Sequence, residues 1–389
     1  MSTIKRYFVA LASFTQRILL LVTYYLCRVF VTKKNTLDWV LGVEDIASMI
    51  YLLGKALPNA KTVCFNNNRF YQYKYDYELP IKTGFLARVI KAVYGPILLG
   101  YLANKSKNFW YIWTTGFLIE RQVEMAFLKS IDKKIVCHFG GDDIRSPRLM
   151  KAFCAEKGLD TFIDYFGAGH PFYLSDSYEA EKMKAAEIAD TYADVVFSAE
   201  FEQISHLKSK QYYNPFLYDP AKFNFNPEKF TDLSRIKIVH APSNPLVKGT
   251  PLVRAAIKKL QMEGYQFDYV ELINVSNAQV LEHLRSAHIV MNQFYQLIPS
   301  VFGIEAMANH CAVLQSASMH LEPNQPQGDE YSWLETSYWQ VYDNLKFLLD
   351  NPAEIERYAN GGYEYVANNL AFDIVAKRVK RVLNENGFE

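Results

Sequence analysis

A lysine stands at the junction between an apolar run and a helical pattern. The segment His240-Ala-Pro-Ser-Asn-Pro-Leu-Val-Lys248-Gly249-Thr250 follows a short β-type run and leads into residues with helical periodicity. Free N–H groups at the start of a helix attract anions, and the lysine adds a positive charge. The segment indicates an anion-binding loop, although a solvated loop with a lysine before a glycine turn would show the same pattern.

A second helix start lies close to a carboxylate. The segment Ser300-Val301-Phe302-Gly303-Ile-Glu305 follows another strand and enters a helix near Val301. The N–H groups of residues 300–303 suit a diphosphate, and Gly303 would permit close approach of the backbone. Glu305 would either accept two hydroxyls of a ribose or only complement the helix dipole.

The third candidate is His138-Phe-Gly-Gly-Asp142-Asp143-Ile-Arg145, which also follows a strand. One histidine beside adjacent aspartates gives poor geometry for a metal, so no metal site is expected. Asp142 would cap the following helix, or Asp142 or Asp143 would act as a general base. We expect binding and orientation first, and proton transfer second.

These segments are joined by alternating strands and helices, which predict two doubly wound α/β units with parallel sheets. Ligands of such units bind at the carboxyl ends of strands, so the loops after residues 41, 138, 240, 272 and 292 are the expected sites. The predicted strands are 38–41, 62–65, 109–113, 134–138, 195–198, 236–240, 267–272, 289–292 and 312–315. The predicted helices are 45–57, 250–263, 277–286, 301–309, 338–349, 352–368 and 373–386.

Composition and missing motifs exclude several classes. With 50% hydrophobic and 21% charged residues, the chain is not disordered. Its five cysteines are an odd number without a C-x-x-C pair, which favours a reducing compartment. No G-x-G-x-x-G follows a strand, and there is no P-loop, D-x-D or G-x-S-x-G segment, so dehydrogenases, NTPases and α/β-hydrolases lose support.

The cations are concentrated in two apolar stretches. Residues 1–37 hold six basic residues and residues 79–119 hold five, and neither stretch contains an acid. Such patterning suits an anionic membrane surface, whereas no motif indicates nucleic acid. Residues 6–31 would be a signal peptide, a membrane span, a helix packed on its own protein, or an interfacial helix. Arg6, Arg17, Arg28 and Ser13 share one helical face, which favours the interfacial helix with its arginines toward phosphates. Residues 85–103 form the second expected contact, interrupted at Pro96.

The order of these motifs resembles the retaining, family-4-like glycosyltransferases of the GT-B fold, over roughly residues 36–389. The resemblance implies two Rossmann-like domains that face a cleft, preceded by the amphipathic helix. It places that helix in residues 1–35, an acceptor-side domain in 36–213 and a linker in 214–234. A donor-binding domain would span 235–372, and residues 373–389 would return to the first domain.

The resemblance also implies a role for each matching residue. Lys248, within the loop that contains Asn244 and Gly249, would bind the donor diphosphate, and Glu305 would bind the ribose. The backbone of Ser300, Val301, Phe302 and Gly303 would touch phosphate and sugar. His138 would reach the sugar from the facing domain, with Asp142 beside it as a further catalytic candidate. Ile273 and Asn274 are candidates for contacts to the base.

Three departures from the family pattern affect these roles. Leu297 stands where the family often has a glutamate that binds the sugar, and positions 242–247 contain no arginine to assist Lys248. His310 occupies a turn position usually given to glycine, which histidine tolerates better than most residues because it adopts positive φ more readily.

The implied activity is transfer of a sugar from a nucleoside diphosphate donor to a hydroxyl of a glycan or lipid-linked acceptor, in cell-surface polysaccharide synthesis. The nucleotide sugar would be a substrate, with no cofactor or metal. The expected location is the cytoplasm, peripheral or monotopic at the inner face of the cytoplasmic membrane. Two alternatives stay open: a non-catalytic sugar-binding scaffold and a GT-B sugar-nucleotide epimerase.

Overall fold

The computed structural model describes residues 3–30, 36–66, 70–71, 73–322 and 324–388. The first half is built on a sheet whose strands all pair in parallel, in the order β3-β2-β1-β4-β5-β6-β7. The strands are β1 Leu37–Val43, β2 Ala60–Cys64, β3 Tyr77–Glu78, β4 Ser106–Ile112, β5 Lys134–His138, β6 Val195–Phe197 and β7 Gln211–Tyr212.

The second half has its own parallel sheet, in the order β12-β11-β10-β8-β9. The two sheets confirm the predicted pair of doubly wound α/β units. The strands are β8 Ile236–His240, β9 Phe267–Glu271, β10 Ile289–Met291, β11 Ala312–Gln315 and β12 Leu334–Glu335.

Fourteen α-helices occur in the described residues, and most of the predicted ones end within a few residues of their expected limits. The helices of the first half are α1 Thr3–Phe30, α2 Met49–Ala56, α3 Gly84–Lys105, α4 Arg121–Ser130, α5 Pro147–Glu156, α6 Phe162–Gly169 and α7 Asp176–Tyr192. Those that follow are α8 Pro245–Lys248, α9 Thr250–Met262, α10 Asn277–Arg285, α11 Val301–Ala308, α12 Val341–Asp350, α13 Pro352–Asn369 and α14 Phe372–Glu385.

Helix α3 continues through Pro96, where an interruption was expected. Proline has no N–H to offer the carbonyl four residues earlier, which is that of Ala92. The side chain of Gln16 on α1 donates to this carbonyl at 3.0 Å instead. Its amide oxygen accepts from the N–H of Ile119 at 2.8 Å. A polar residue of one helix therefore compensates for the proline of the other.

Helix α1 presents its polar side to the protein and its apolar side to the exterior. Ser13 and Gln16 are buried, and Leu20 and Tyr24 pack into the core of the first half. Arg17 forms an ion pair with Glu120 at 2.9 Å. Arg17, expected to point toward lipid phosphates, thus pairs with the protein itself, whereas Arg28 of the same helix is exposed. The exposed apolar side chains of the helix are Tyr7, Leu11, Phe14, Ile18, Leu21, Val22, Tyr25, Leu26, Val29 and Phe30.

Helix α14 packs against the sheet of the first half, although it follows the second half in the chain. Val375 and Val379 share a buried cluster with Trp39 and Leu41. The ring of Phe388 stacks on Trp39 with 5.4 Å between ring centres. The C-terminal segment therefore ties the two halves together covalently and by packing.

A buried carboxylate joins the two halves at the interface. Glu322, from the second half, accepts the N–H groups of Glu200, Phe201 and Glu202 at 2.9, 2.8 and 2.8 Å. In return Glu202 accepts the N–H of Leu297 at 2.6 Å. We call this arrangement of Glu322 with residues 200–202 the interdomain clasp.

We predict that Glu322→Ala lowers the free energy of unfolding by about 2–3 kcal/mol, because three backbone donors lose a charged acceptor inside the protein. Urea unfolding measures this change. Glu330→Ala is the matched control, since Glu330 is exposed in the same segment, and it should change stability little. Equal stability of the two variants would contradict a structural role for the clasp.

Candidate functional site

A cavity of about 800 Å³ lies between the two halves, where the strands of both sheets end. Its walls come from the first half through the turn of residues 140–145 and from the second half through the loops after β8, β9 and β10. Seven of the residues predicted from sequence line it: Asp142, Lys248, Asn274, Ser300, Val301, Phe302 and Glu305.

Lys248 reaches the cavity because the loop around it is tightly folded. The Asn244 side chain caps the short helix α8 by accepting from the N–H groups of Leu246 and Val247, at 3.2 and 3.4 Å. Gly249 then takes φ 77°, a left-handed conformation that suits glycine. Neither residue is among those that line the cavity, so both position Lys248 in this structure.

The ammonium group of Lys248 donates to the side-chain oxygen of Gln293. Burial lowers the pKa of Lys248 to about 8 because it disfavours the charged form. The lysine is therefore mostly charged at pH 7, and it forms a fixed positive charge on the cavity wall.

The start of α11 is held by Ser300, whose hydroxyl accepts from the Gly303 N–H at 3.3 Å and donates to Asn292 at 2.7 Å. Gly303 does not line the cavity, which corrects its expected role in close approach to a ligand. A Cβ at this position would lie 2.4 Å from the Asn292 amide nitrogen and 2.7 Å from the Gln315 side-chain oxygen. Glycine is needed here because α11 packs tightly on those two side chains.

Glu305 lies one turn inside α11, is buried and lines the same cavity. Its Oε1 accepts from Asn277 at 2.6 Å and from the Tyr71 hydroxyl at 3.3 Å. Burial raises the pKa of Glu305 to about 6, although these bonds and the charge of Lys222 oppose the shift. The carboxylate is therefore mostly ionised at pH 7 and can accept hydroxyl groups.

Sequence reasoning missed Asn277 and Tyr71. Asn277 follows Ser276, which caps α10 in a capping box, and this start of a helix was the available signal. Tyr71 comes from the first half, and no motif marks it. Asn274 lines the cavity as predicted for a base contact, whereas Ile273 is 43% exposed and lies outside it.

His138 does not face the cavity, which corrects the orientation expected for it. Side chains alternate along a strand, so His138 points to the same face as Val136, the face that α14 covers. Its ring lies 6.2 Å from that of Trp110 and 6.1 Å from that of Phe197. Among the described residues neither ring nitrogen has a hydrogen-bond partner, and burial lowers the pKa of His138 to about 3.

The turn after β5 is held by Asp143, whose carboxylate accepts the N–H groups of Gly140 and Gly141 at 3.3 and 2.8 Å. Helix α5 is capped by Ser146, not by Asp142 as one expectation had it. Asp142 instead pairs with Arg145 and accepts from the Tyr173 hydroxyl at 3.0 Å, on the cavity wall.

Arg145 also lines the cavity, opposite the loop of Lys248. Its guanidinium donates to the carboxylates of Asp142 and Glu202 and, at 2.7 Å, to the Glu202 carbonyl. The cavity wall thus contains an arginine from the first half, although residues 242–247 contain none. Within the part of the chain that the structure describes, no group of three His, Cys, Asp or Glu side chains is placed to share a metal.

The sequence matches no protein-family model. A search of curated proteins also finds no match. Solved structures, in contrast, resemble most of the chain. HepE from Anabaena, in complex with UDP and glucose, superposes with a TM-score of 0.54 at 11% identity, over 90% of this chain and 100% of that one. Sucrose-phosphate synthase from Thermosynechococcus elongatus gives 0.58 at 12% identity, over 90% and 98%. MnaA of S. aureus, solved with UDP, gives 0.53 at 13%, over 92% and 98%.

These similarities confirm the expected fold: two Rossmann-like α/β domains facing a cleft, the GT-B architecture. At such low identities they establish the fold alone.

We predict that the His138 imidazole stays neutral between pH 5 and 8, which NMR of the ring nitrogens would show. The pKa of His138 in the folded chain lies below its unfolded value of about 6.5, so the unfolded state binds the proton first as pH falls. Folding stability should therefore decrease below pH 6.5, by up to about 1.4 kcal/mol per pH unit from this group. His138→Phe keeps a ring and should flatten that slope. A pKa of His138 near 6.5 would contradict the buried placement.

Proposed function

We propose that this chain is a glycosyltransferase that moves a sugar from a nucleoside diphosphate donor to a hydroxyl of a membrane-associated acceptor. The observation that carries the proposal is the wall of the cavity. Lys248 is linked through Gln293 to the carbonyl of Ile298, in the loop that leads into α11, and Glu305 lies one turn inside that helix. The similar folds of HepE and MnaA, both solved with UDP, support the class of donor.

The spacing along α11 suits one nucleoside diphosphate. Ser300 and Glu305 are separated by about 7.5 Å along the helix axis. The diphosphate would lie at the helix start beside Lys248, where N–H groups and the ammonium group offset its charge. The ribose hydroxyls would bind Glu305, and the base would lie against the loop that contains Asn274.

The chemistry requires stabilisation of the departing diphosphate. As the bond to the sugar breaks, negative charge grows on the phosphate oxygen, and Lys248 with the N–H groups of α11 stabilises that charge more in the transition state than in the ground state. In a retaining front-face reaction the departing phosphate takes the proton of the acceptor hydroxyl. Asp142 would then orient groups at the cavity, since its carboxylate already binds Arg145 and Tyr173.

An apolar surface on the first half suits a lipid bilayer as the site of the acceptor. The exposed side of α1 adjoins α3, whose Phe85, Leu86, Val89, Val93 and Ile97 are also exposed. Both helices are long and apolar enough to cross a membrane, by length and composition only. Because Gln16 and Arg17 already bond to other parts of the protein, the apolar face of α1 would meet the hydrocarbon boundary, with cations such as Arg28 and Arg88 near anionic headgroups.

The proposal therefore places the protein in the cytoplasm, at the inner face of the cytoplasmic membrane. The acceptor would be a glycan or lipid-linked molecule of cell-surface polysaccharide synthesis. The nucleotide sugar would be the substrate, and no cofactor or metal is proposed.

We predict that Lys248→Ala and Glu305→Ala each weaken the binding of a nucleotide sugar by about 10- to 100-fold, because each removes a charged partner worth about 1.5–3 kcal/mol. A thermal-shift screen of UDP- and GDP-sugars on the parent identifies the donor, and calorimetry on the variants measures the loss. Lys258→Ala on the exposed side of α9 is the control. If both site variants bind the donor as the parent does, the donor site is wrong.

We predict that the triple variant Leu11→Ser, Phe14→Ser and Phe85→Ser no longer binds vesicles that contain anionic lipid, because it removes exposed apolar side chains of α1 and α3. Substitution is preferable to deletion of α1, because Leu20 and Tyr24 of that helix belong to the core. Met262→Ser, at a 77% exposed position in the second half, is the matched control and should bind vesicles like the parent. Salt should weaken the binding of the parent as headgroup attraction is screened. Absence of vesicle binding by the parent would rule out the lipid surface.

A further inference from the structure

A buried carboxylate lies on the cavity wall beside the loop of Lys248, and it comes from the first half. Glu202 is 3% exposed and lines the cavity together with Arg145. One carboxylate oxygen accepts from Arg145, and the other accepts the N–H of Leu297 at 2.6 Å. An ionised carboxylate has about four acceptor positions, so about two remain for another donor.

A second acceptor adjoins Glu202 from the other half. Gln296 precedes Leu297, lines the cavity and is 6% exposed. Its amide nitrogen donates to the carbonyl of Val247 at 3.2 Å. Its amide oxygen is buried and has no hydrogen-bond partner among the described residues. A buried acceptor without a donor is costly, and a ligand that donates would remove the cost.

The hydrogen-bonding chemistry of Glu202 and Gln296 indicates which chemical groups of a ligand they can bind. Glu202 and the oxygen of Gln296 only accept hydrogen bonds, so they disfavour phosphate oxygens, which have no proton to offer. Hydroxyl groups are donors and fit both. The charge of Arg145 offsets that of Glu202, so the carboxylate does not repel a diphosphate held at Lys248.

We propose that Glu202 and Gln296 bind hydroxyl groups of the sugar carried by the nucleotide donor, and so determine which sugar is accepted. This inference rests on the proposed function and deepens it. The side chain of Leu297 cannot take part, since it packs in an apolar cluster with Met150 and Phe162 and does not line the cavity. Position 297 is a leucine and offers no carboxylate to the sugar, and in this proposal Glu202 of the facing half supplies one instead. The sugar site is therefore complete only when both halves are together.

The test compares nucleoside diphosphates with their sugar conjugates on the full chain. Affinities of UDP, UDP-glucose, UDP-galactose, GDP and GDP-mannose are measured by calorimetry for the parent, Glu202→Gln, Glu202→Asp and Gln296→Leu. We expect UDP or GDP to bind each variant within about twofold of the parent. The matching sugar conjugate should bind the Glu202 variants about 10- to 100-fold more weakly, as for loss of a charge-assisted hydrogen bond, and Gln296→Leu about 2- to 10-fold more weakly, as for loss of a neutral one.

Glu202→Asp keeps the charge opposite Arg145, so it keeps the proposal testable if Glu202→Gln does not fold. Glu200→Gln is the matched control, because Glu200 is exposed two residues earlier and its side chain accepts from the Asn324 amide, away from Arg145 and Leu297. Equal weakening of the diphosphate and the sugar conjugate would assign Glu202 a purely structural role and overturn the proposal. Unchanged binding of the diphosphate and of the sugar conjugate would also overturn the proposal. If neither UDP nor GDP binds the parent, the proposed function itself fails.

Discussion

The interdomain clasp fixes the geometry on which the rest of the structure depends. Each half can form its own sheet and core, but the cavity exists only where the two are held at one separation and angle. Backbone N–H groups are directional donors, and the Glu322 carboxylate receives three of them from consecutive residues. Such an acceptor specifies one arrangement, whereas apolar contacts between the halves would tolerate sliding.

This specificity has an energetic cost. Burial raises the pKa values of both Glu202 and Glu322, which means that their charged forms lose more hydration than the new bonds fully restore. The folded state binds protons to these groups at a higher pH than the unfolded state does. Their contribution to stability therefore decreases as pH rises above about 4.5, the unfolded value. A buried charge of this kind is weak evidence of added stability, and we interpret this pair as fixing the arrangement of the two halves.

The sequence was sufficient for most of the fold and for the elements of the site, because strand ends and helix starts are local patterns. Strand β5 ends at His138 and strand β8 ends at His240, before the loop of Lys248, where their apolar runs end. His310 takes φ 60°, as expected for its turn. The errors arise where a role depends on what lies across the fold. Gly303 packs against the side chains of Asn292, just after β10, and Gln315 of β11. Glu202 accepts the N–H of Leu297, which is almost a hundred positions away in the chain. No local pattern contains such partners.

Helix orientation is a further property that periodicity could not decide. An amphipathic pattern normally places the apolar face toward the core. In α1 this arrangement is partly reversed, because Pro96 leaves the carbonyl of Ala92 on α3 without a helical donor, and Gln16 donates to it. Polar side chains of α1, Ser13 and Gln16, are consequently buried, while much of its apolar side is exposed.

The position of α3 connects the apolar surface to the cavity. Helix α3 ends at Lys105, and β4 begins at Ser106. The middle of the helix, at Gly95, packs against Phe117, which lies beyond the carboxyl end of β4. There Trp113 follows β4 and lines the cavity. Lys91, one turn before Gly95, lies over the ring of Phe65, just beyond the end of β2. The exposed residues Phe85, Leu86 and Val89 precede these contacts along the helix, and so lie on the side of the first half at which its strands end. In the proposed function, an acceptor held in a bilayer against these residues would be on the same side of the first half as the donor site.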